Sequence, residues 1–482
     1  MIRSSPTLQS ILAGVLTFAR TMQINTHRDP LVVFTGLWLA CMPVSCSLES
    51  AERSNQYLPK VRVAPDRIGF VTEDGKPFVP FGVNYFRPGT GWAPQVWKQF
   101  DAEATRRDFA ILRELGANCV RVFLTYGSFY NTIGQLSQDG LAKFDKFLEL
   151  AQEAGLYVHP TGPDHWEGMP EWSRHGRLID DEAIDAIVSF WKLFAERYRG
   201  RNVIFAYDLL NEPEIPWSHP KMREKWNNWL EHRYGSVDRL KVAWEKGTNS
   251  IEFGRIDLPQ RESTESRVLL DYQLFREHLA DEWTRRQVAA IKSVDKDALV
   301  TVGLIQWSVP FVLAGPWQYS GFRPARQAQL LDFLEIHFYP LATGFYEYTG
   351  PDAERMNLAY LEAVVREVAA PGKPVVLAEF GWYGGGKLTI NGGRHPPATE
   401  AQQAEWCRRA IEVSQGWCCG WLHWGLYDHP DARDVTQLIG LFTADGRIKE
   451  WGRTFRDMAT RIRSAPMQAR RDLARPTMEW EK

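Results

Sequence analysis

Eight short apolar runs, separated by longer amphipathic stretches, recur from about residue 60 onward, and this alternation limits the fold more than any other feature. The runs are Phe78 to Tyr85, Cys119 to Thr125, Leu156 to Pro160, Val203 to Leu210, Leu299 to Ile305, Phe333 to Phe338, Pro374 to Ala378 and Gly420 to Leu426. Short continuous apolar runs of this kind read as strands buried on both faces, the condition of a parallel sheet covered by helices. The stretches between them carry a helical period. Ile184, Ile187, Val188, Trp191, Phe194 and Tyr198 form one stripe, and Leu358, Leu361, Val364, Val365 and Val368 form another ahead of Pro371. Thr399 followed by Gln402 is a capping-box pattern at the start of a further helix. Each helix carries the chain back to where the next parallel strand begins. Eight such units over roughly 400 residues predict an α/β chain of the (β/α)8 type, a TIM barrel with long loops. A doubly wound open sheet is the alternative, but no GxGxxG follows the first run.

Three segments depart from the rhythm. Between the fourth and fifth runs, from Trp217 to about Glu265, the Trp-rich "WNNWLEHRYGSVDRLKVAWEKG" reads as one or two helices followed by an irregular stretch, an insertion on the barrel's upper face. Residues 463 to 482, rich in Arg, read as a C-terminal tail after a barrel spanning about 60 to 462. Residues 1 to 50 read as a leader: the apolar run Leu31 to Ala40 follows His27 and Arg28 and leads into Cys41, the layout of an export signal. Met22 gives such a signal a compact start. The run is too short for a stable membrane span. Leu39-Ala40-Cys41 resembles the site at which bacterial lipoproteins are cleaved and acylated, although Trp38 stands where that motif has Leu. A secreted or cell-envelope protein is the expectation, lipid anchoring at Cys41 being an alternative to simple secretion.

Charge excludes some partners. The chain carries 57 Lys+Arg against 59 Asp+Glu, and a net charge of -2 gives no field that would gather nucleic acid. The 20 Trp exceed what core packing usually takes and suit flat, amphipathic contact surfaces. Cys119, Cys407, Cys418 and Cys419 form no disulfide framework and no CxxC knuckle, so Cys119 and Cys418 read as small buried residues. "YDHPDARD", residues 427 to 434, groups His429 with aspartates but lacks the i, i+4 spacing of a zinc pair and reads as a polar loop. "NGGRHPPAT", residues 391 to 399, holds Arg394 and His395 but is no phosphate loop. No cofactor, no metal and a monomeric chain are expected.

In a barrel of this kind, chemistry gathers at the C-terminal ends of the strands. There the sequence sets Arg121 on strand two, Asn211 and Glu212 after strand four, His337 and Tyr339 on strand six, Glu379 on strand seven and Trp424 on strand eight. Each interrupts or terminates an apolar run. Carboxylates on strands four and seven would face one another across the barrel mouth, as glycoside hydrolysis requires: one donates a proton to the leaving oxygen and the other is nucleophile or base. His165 and Trp166 after strand three could line a further subsite, with His159 competing for the histidine role. Asn84, Tyr85, Trp307 and Trp382 are further candidate sugar contacts, Trp382 foremost because it adjoins Glu379.

"YDLLNEPE" and "LAEFGW", with Arg121 before them, "HFYP" between them and "WLHWGLYD" after them, resemble the retaining β-glycosidases on (β/α)8 barrels, most closely the family 5 cellulase and mannanase group. The resemblance implies Glu212 as general acid/base, Glu379 as nucleophile and Asn211 as the amide that holds the sugar's 2-hydroxyl. It further implies Arg121 beside the nucleophile, Tyr339 hydrogen-bonded to it, His337 in the same network and Trp424 as a stacking platform. The insertion resembles a segment of certain β-galactosidases and mannanase-like enzymes, which leaves endo and exo action both open. A catalytically silent carbohydrate-binding barrel and a metal-dependent barrel hydrolase are the competing readings.

Overall fold

The structure, a computed structural model, describes residues 57–90, 95–174, 176–246, 250–309, 315–340, 351–390 and 395–464. The expected leader with Cys41, Arg394 and the tail from residue 465 lie outside the described residues.

Eight parallel strands close into one barrel, and each of the eight apolar runs overlaps one of them, strands three, four and seven continuing past the ends of their runs. In chain order they are strand one, Phe81–Asn84; two, Cys119–Thr125; three, Tyr157–Asp164; four, Tyr207–Asn211; five, Val300–Ile305; six, Leu334–Phe338; seven, Val375–Phe380; and eight, Gly420–Trp424. Strand one pairs with strand two, Asn84 opposite Arg121, and with strand eight, Asn84 opposite Trp424, which closes the ring. Strand one is shorter than its apolar run. Pro80 has no N–H for a ladder, and the residues before it leave the barrel. Pro77–Phe78 joins Phe70–Thr72 and Val61–Val63 in an antiparallel sheet. There Phe70 and Phe78 pack on Tyr157, Phe205 and Phe333 near the starts of strands three, four and six. That end of the barrel is thus plugged by aromatic rings, and chemistry is left to the other.

Helices follow the strands as the periods predict. Asp181–Tyr198 buries Ile184, Ile187, Trp191, Phe194 and Tyr198, and Glu400–Ser414 begins with the complete capping box of Thr399 and Gln402. The insertion forms helices Met222–Tyr234 and Val237–Trp244 and then irregular chain leading to a 29-residue helix, Ser266–Val294. Its aromatic residues extend the barrel's core: Trp226 lies against Trp229, Trp244, Tyr272 and Phe275. Polar residues buried beneath it obscure the long helix's stripe in the sequence. Asp271 accepts from the Trp244 indole at 2.7 Å, and Arg276 donates to the carbonyls of Ile215 and Tyr319. Cys119, Cys407, Cys418 and Cys419 are all buried, and none of them, the adjacent pair at 418 and 419 included, is in a disulfide.

Candidate active site

The site is assembled around a buried arginine. Arg121 sits on strand two with no exposed surface, and its guanidinium spans the barrel interior. Nη1 donates to Glu379 Oε1 and to Asn84 Oδ1, both at 2.7 Å, while Nη2 donates to Asn211 Oδ1 at 2.9 Å and to Asp208 Oδ2 at 2.7 Å. Such a cation is tolerable in a core only when its donors are met and its charge is opposed. Asp208 and Asn211 are three residues apart, so strict alternation would send one of them outward. Strand four breaks register against strand five between these two positions, and both side chains reach Arg121. Gly303, opposite on strand five, leaves the room: a Cβ there would stand 3.0 Å from Asp208 Oδ2 and His337 Cε1 and 3.1 Å from Arg121 Nη2.

The two predicted carboxylates meet over this platform. Glu379 is buried, with Oε1 on Arg121 and Oε2 accepting from the Tyr339 hydroxyl at 2.9 Å. Glu212 follows strand four in a left-handed backbone conformation, φ 45°, and its N–H donates to the Gly303 carbonyl at 2.8 Å. For a residue with a Cβ this conformation costs on the order of 1 kcal/mol or more, a strain characteristic of functional positions. His337 bridges the pair, with Nδ1 3.0 Å from Glu212 Oε1 and 3.5 Å from Glu379 Oε1. One oxygen of each carboxylate and one ring nitrogen of His337 all lie within 4.8 Å of one another.

Environment separates the two acids. Burial pushes Glu212 up to about 7, Glu214 and Asp164 adding to the rise and Arg121 opposing it. Burial also raises Glu379, with Glu212 adding, but His337, Arg121 and the Tyr339 hydroxyl pull it back. Burial lowers His337, which favours the neutral imidazole. Its Nε2 has no hydrogen-bond partner among the described residues, so the proton belongs on Nδ1, between the carboxylates. The sign of the pH dependence follows. An acid that must carry its proton is lost as pH rises through about 7, so kcat/KM should fall close to tenfold per unit above that value. On the acid side, activity should decline as Glu379, held as an anion by Arg121 and the Tyr339 hydroxyl, gains a proton. A kcat/KM profile from pH 4 to 9 checks both limbs.

The remaining candidates divide. Trp424 is buried in an aromatic cluster with Phe86, Phe123 and Ile439, against which Trp166 and Tyr339 pack, and its indole N–H donates to Thr436 at 2.8 Å. His165 is partly exposed, stacked on Trp166 with ring centroids 4.6 Å apart and held by Asp164. His159 does not compete for that position, because it is wholly buried between the Ala206 carbonyl and Glu335. Trp382 is a correction. Although it adjoins Glu379 in sequence, it is only 2% exposed and packs on Tyr383 and His395, so it offers no open face to a sugar. Asn84 is likewise committed, donating to the Ala378 carbonyl at 2.8 Å and accepting from Arg121. Tyr85 alternates to the outside of the barrel, where its hydroxyl donates to Asp108. Trp307 donates its indole N–H to Glu214. Asp208 was not singled out by its sequence, yet a charged residue inside a run buried on both faces requires a partner, and that was the available signal.

Two trios, Glu212, His337 and Glu379, and His159, Asp208 and Glu335, have atoms close enough to share a metal ion. In each, Arg121 already occupies a carboxylate, through Glu379 or Asp208, so a cation would sit against a fixed positive charge.

Two family models match the chain: that described as cellulase, glycosyl hydrolase family 5, over residues 71–251, and that described as beta-galactosidase over residues 182–381. The first contains Arg121 and Glu212, the second Glu212 and Glu379. Among curated proteins, a β-xylosidase from Phanerodontia chrysosporium is 22% identical over 264 residues, 48% of this chain and 53% of that protein. The chain thus spans about half the length of that relative, and a quarter of a Thermus thermophilus β-galactosidase. Among solved structures, a β-galactosidase from the psychrophilic Marinomonas ef1 superposes with a TM-score of 0.62 at 17% identity, covering 80% of this chain and 62% of that one. An exo-β-1,4-mannosidase from Opitutaceae bacterium strain TAV5 superposes with a TM-score of 0.54 at 18% identity, covering 85% and 61%.

Proposed function

We propose that this (β/α)8 glycoside hydrolase, family 5-like in its sequence, is a retaining β-glycosidase that cleaves β-linked polysaccharides or their oligosaccharides by double displacement. One observation carries the reading. Two carboxylates from strands four and seven share His337, with closest oxygens within 4.8 Å, and only Glu379 is bonded to a fixed guanidinium. Oxygens that close leave little room for a water between the two carboxylates, the arrangement of retaining rather than inverting enzymes, whose carboxyl groups stand roughly 5 to 5.5 Å apart rather than 6.5 to 9.5 Å. Glu379 attacks the anomeric carbon as Glu212 gives its proton to the departing oxygen. The resulting ester carries no charge, so its repulsion of Glu212 disappears and Glu212 accepts a proton from the incoming water. Asn211, already oriented by Arg121, supplies an amide N–H for the 2-hydroxyl.

Exo action is a second reading. Arg276, on the helix that follows the insertion, donates to the carbonyl of Ile215, three residues along the chain from Glu212, and a segment held rigid there suits release of terminal sugars. The exo-mannosidase and β-galactosidase names of the structural neighbours point the same way. The apolar run ahead of Cys41 supports an exported enzyme that meets its substrate outside the cytoplasm.

The test is hydrolysis of β-glucans, mannans, xylans and aryl β-glycosides, with product lengths and first-formed anomer recorded. Retention predicts that the β-anomer appears first. An α-anomer, or no hydrolysis anywhere in the panel, would sink the reading. Early oligosaccharides indicate internal cleavage, and monosaccharide alone indicates exo action.

A further inference from the structure

Asp208 is the member of the strand-four run for which a two-acid mechanism has no task. It is wholly buried, and each of its oxygens is in use. Oδ2 accepts from Arg121 Nη2 at 2.7 Å and Nε at 3.2 Å, while Oδ1 accepts from the Gly303 N–H at 2.7 Å and the Leu210 N–H at 3.3 Å. Two backbone amides on neighbouring strands thus lock one edge of the carboxylate, and the other edge grips the guanidinium along its Nε–Nη2 side. That leaves Nη1 facing Glu379 and directs Nη2 onto Asn211 as well.

We propose that Asp208 is a positioning residue that fixes the Arg121 guanidinium between nucleophile and 2-hydroxyl amide and offsets its charge, so that one arginine can serve an anionic Glu379 without stripping the proton from Glu212. The proposal rests on the double-displacement reading above.

The charge balance shows why an offset is needed. The groups that act on the guanidinium or feel its charge are Asp208 and Glu212 from strand four and its end, Glu335 and His337 from strand six, and Glu379 from strand seven, on which the Tyr339 hydroxyl sits; Asp164 and Glu214 lie farther out near Glu212. His159 is engaged with Glu335 and does not bond Arg121. Arg121 is directly paired with two carboxylates, Asp208 and Glu379. Glycosylation of Glu379 removes one of them. Asp208 then remains as the directly bonded anion, and it opposes the arginine's positive charge just as positive charge develops on the sugar ring. Arg121 also lowers Glu212, so a bare guanidinium would draw the acid's proton off at lower pH.

The test is the pH profile of kcat/KM on an aryl β-glycoside that the unaltered protein cleaves, since this profile reports the free enzyme's acid and base. Asp208→Asn keeps shape and removes charge. Both limbs should move together to lower pH, by roughly half a unit or more, because Glu379 and Glu212 each lose a neighbouring negative charge. Asp208→Glu keeps charge and disturbs position, so the rate should fall while both limbs stay within about 0.2 units of the unaltered profile. Limbs that stay put or move upward in Asp208→Asn would overturn the proposal, and so would limbs that move as far in Asp208→Glu. If Asp208→Asn does not fold, the Asp208→Glu profile decides alone: a lowered rate with both limbs within about 0.2 units supports the proposal, and limbs displaced by about half a unit or more overturn it. Absence of hydrolysis by the unaltered protein would instead remove the glycosidase reading, and this proposal with it.

Discussion

Glu379→Ala should lose activity by roughly four orders of magnitude or more, the scale expected when the nucleophile of a cooperating set is removed. The cause is specific. Without a carboxylate opposite Glu212 no glycosyl ester forms, and water has no base on that face of the sugar. A small anion can enter the space left by the truncated side chain, where Arg121 Nη1 and the Tyr339 hydroxyl, which now hold Glu379, are aimed. Millimolar azide should therefore restore a measurable rate on an activated aryl β-glycoside and yield the α-glycosyl azide, because a single displacement inverts the centre. Kinetics with and without azide, followed by NMR of the product, read this directly. A variant that hydrolyses at the original rate, or an azide product of β configuration, would assign the nucleophile elsewhere.

Glu212→Ala should behave differently, because the acid matters only as much as the leaving group needs it. On natural glycosides, whose departing alkoxide is a poor leaving group, the loss should be about 10² to 10⁴-fold, the usual worth of general acid catalysis. On dinitrophenyl glycosides the first step should be nearly spared. Azide should then intercept the glycosyl ester on Glu379 and give the β-glycosyl azide, since two displacements retain configuration. The descending limb near pH 7 should also vanish, because the group pushed up to about 7 is gone. Equal losses on both substrate classes would remove Glu212 from the acid's role. Opposite azide products from the two variants assign each carboxylate independently of any rate.

Part of this site was legible in the sequence because its residues break the surrounding pattern. Asn211, Glu212 and Glu379 end apolar runs abruptly, and in a parallel barrel the strand end is where a side chain can leave the core. Arg121 and His337 interrupt such runs, and the structure brings both into contact with the acids. Trp382 failed the same logic. Adjacency to Glu379 says nothing about direction after a strand has ended, and the ring packs on Tyr383 and His395. Asn84 and Tyr85 are adjacent in sequence, yet consecutive residues of an extended chain face opposite sides. One joined the buried network and the other the outer shell.

The sequence by itself determined the barrel, its eight strands and which two carboxylates meet at its mouth, because the period of an apolar pattern and the point at which it stops are properties of the chain alone. Only the tertiary structure decided how the acids differ. Burial raises Glu212 to about 7, and Arg121 is bonded to Glu379 but not to Glu212. Asp208 reaches that arginine through a register break between strands that begin more than ninety residues apart. A carboxylate's proton affinity depends on which charges and how much water surround it, and those neighbours come from strands two, four, six and seven, which meet only when the ring closes.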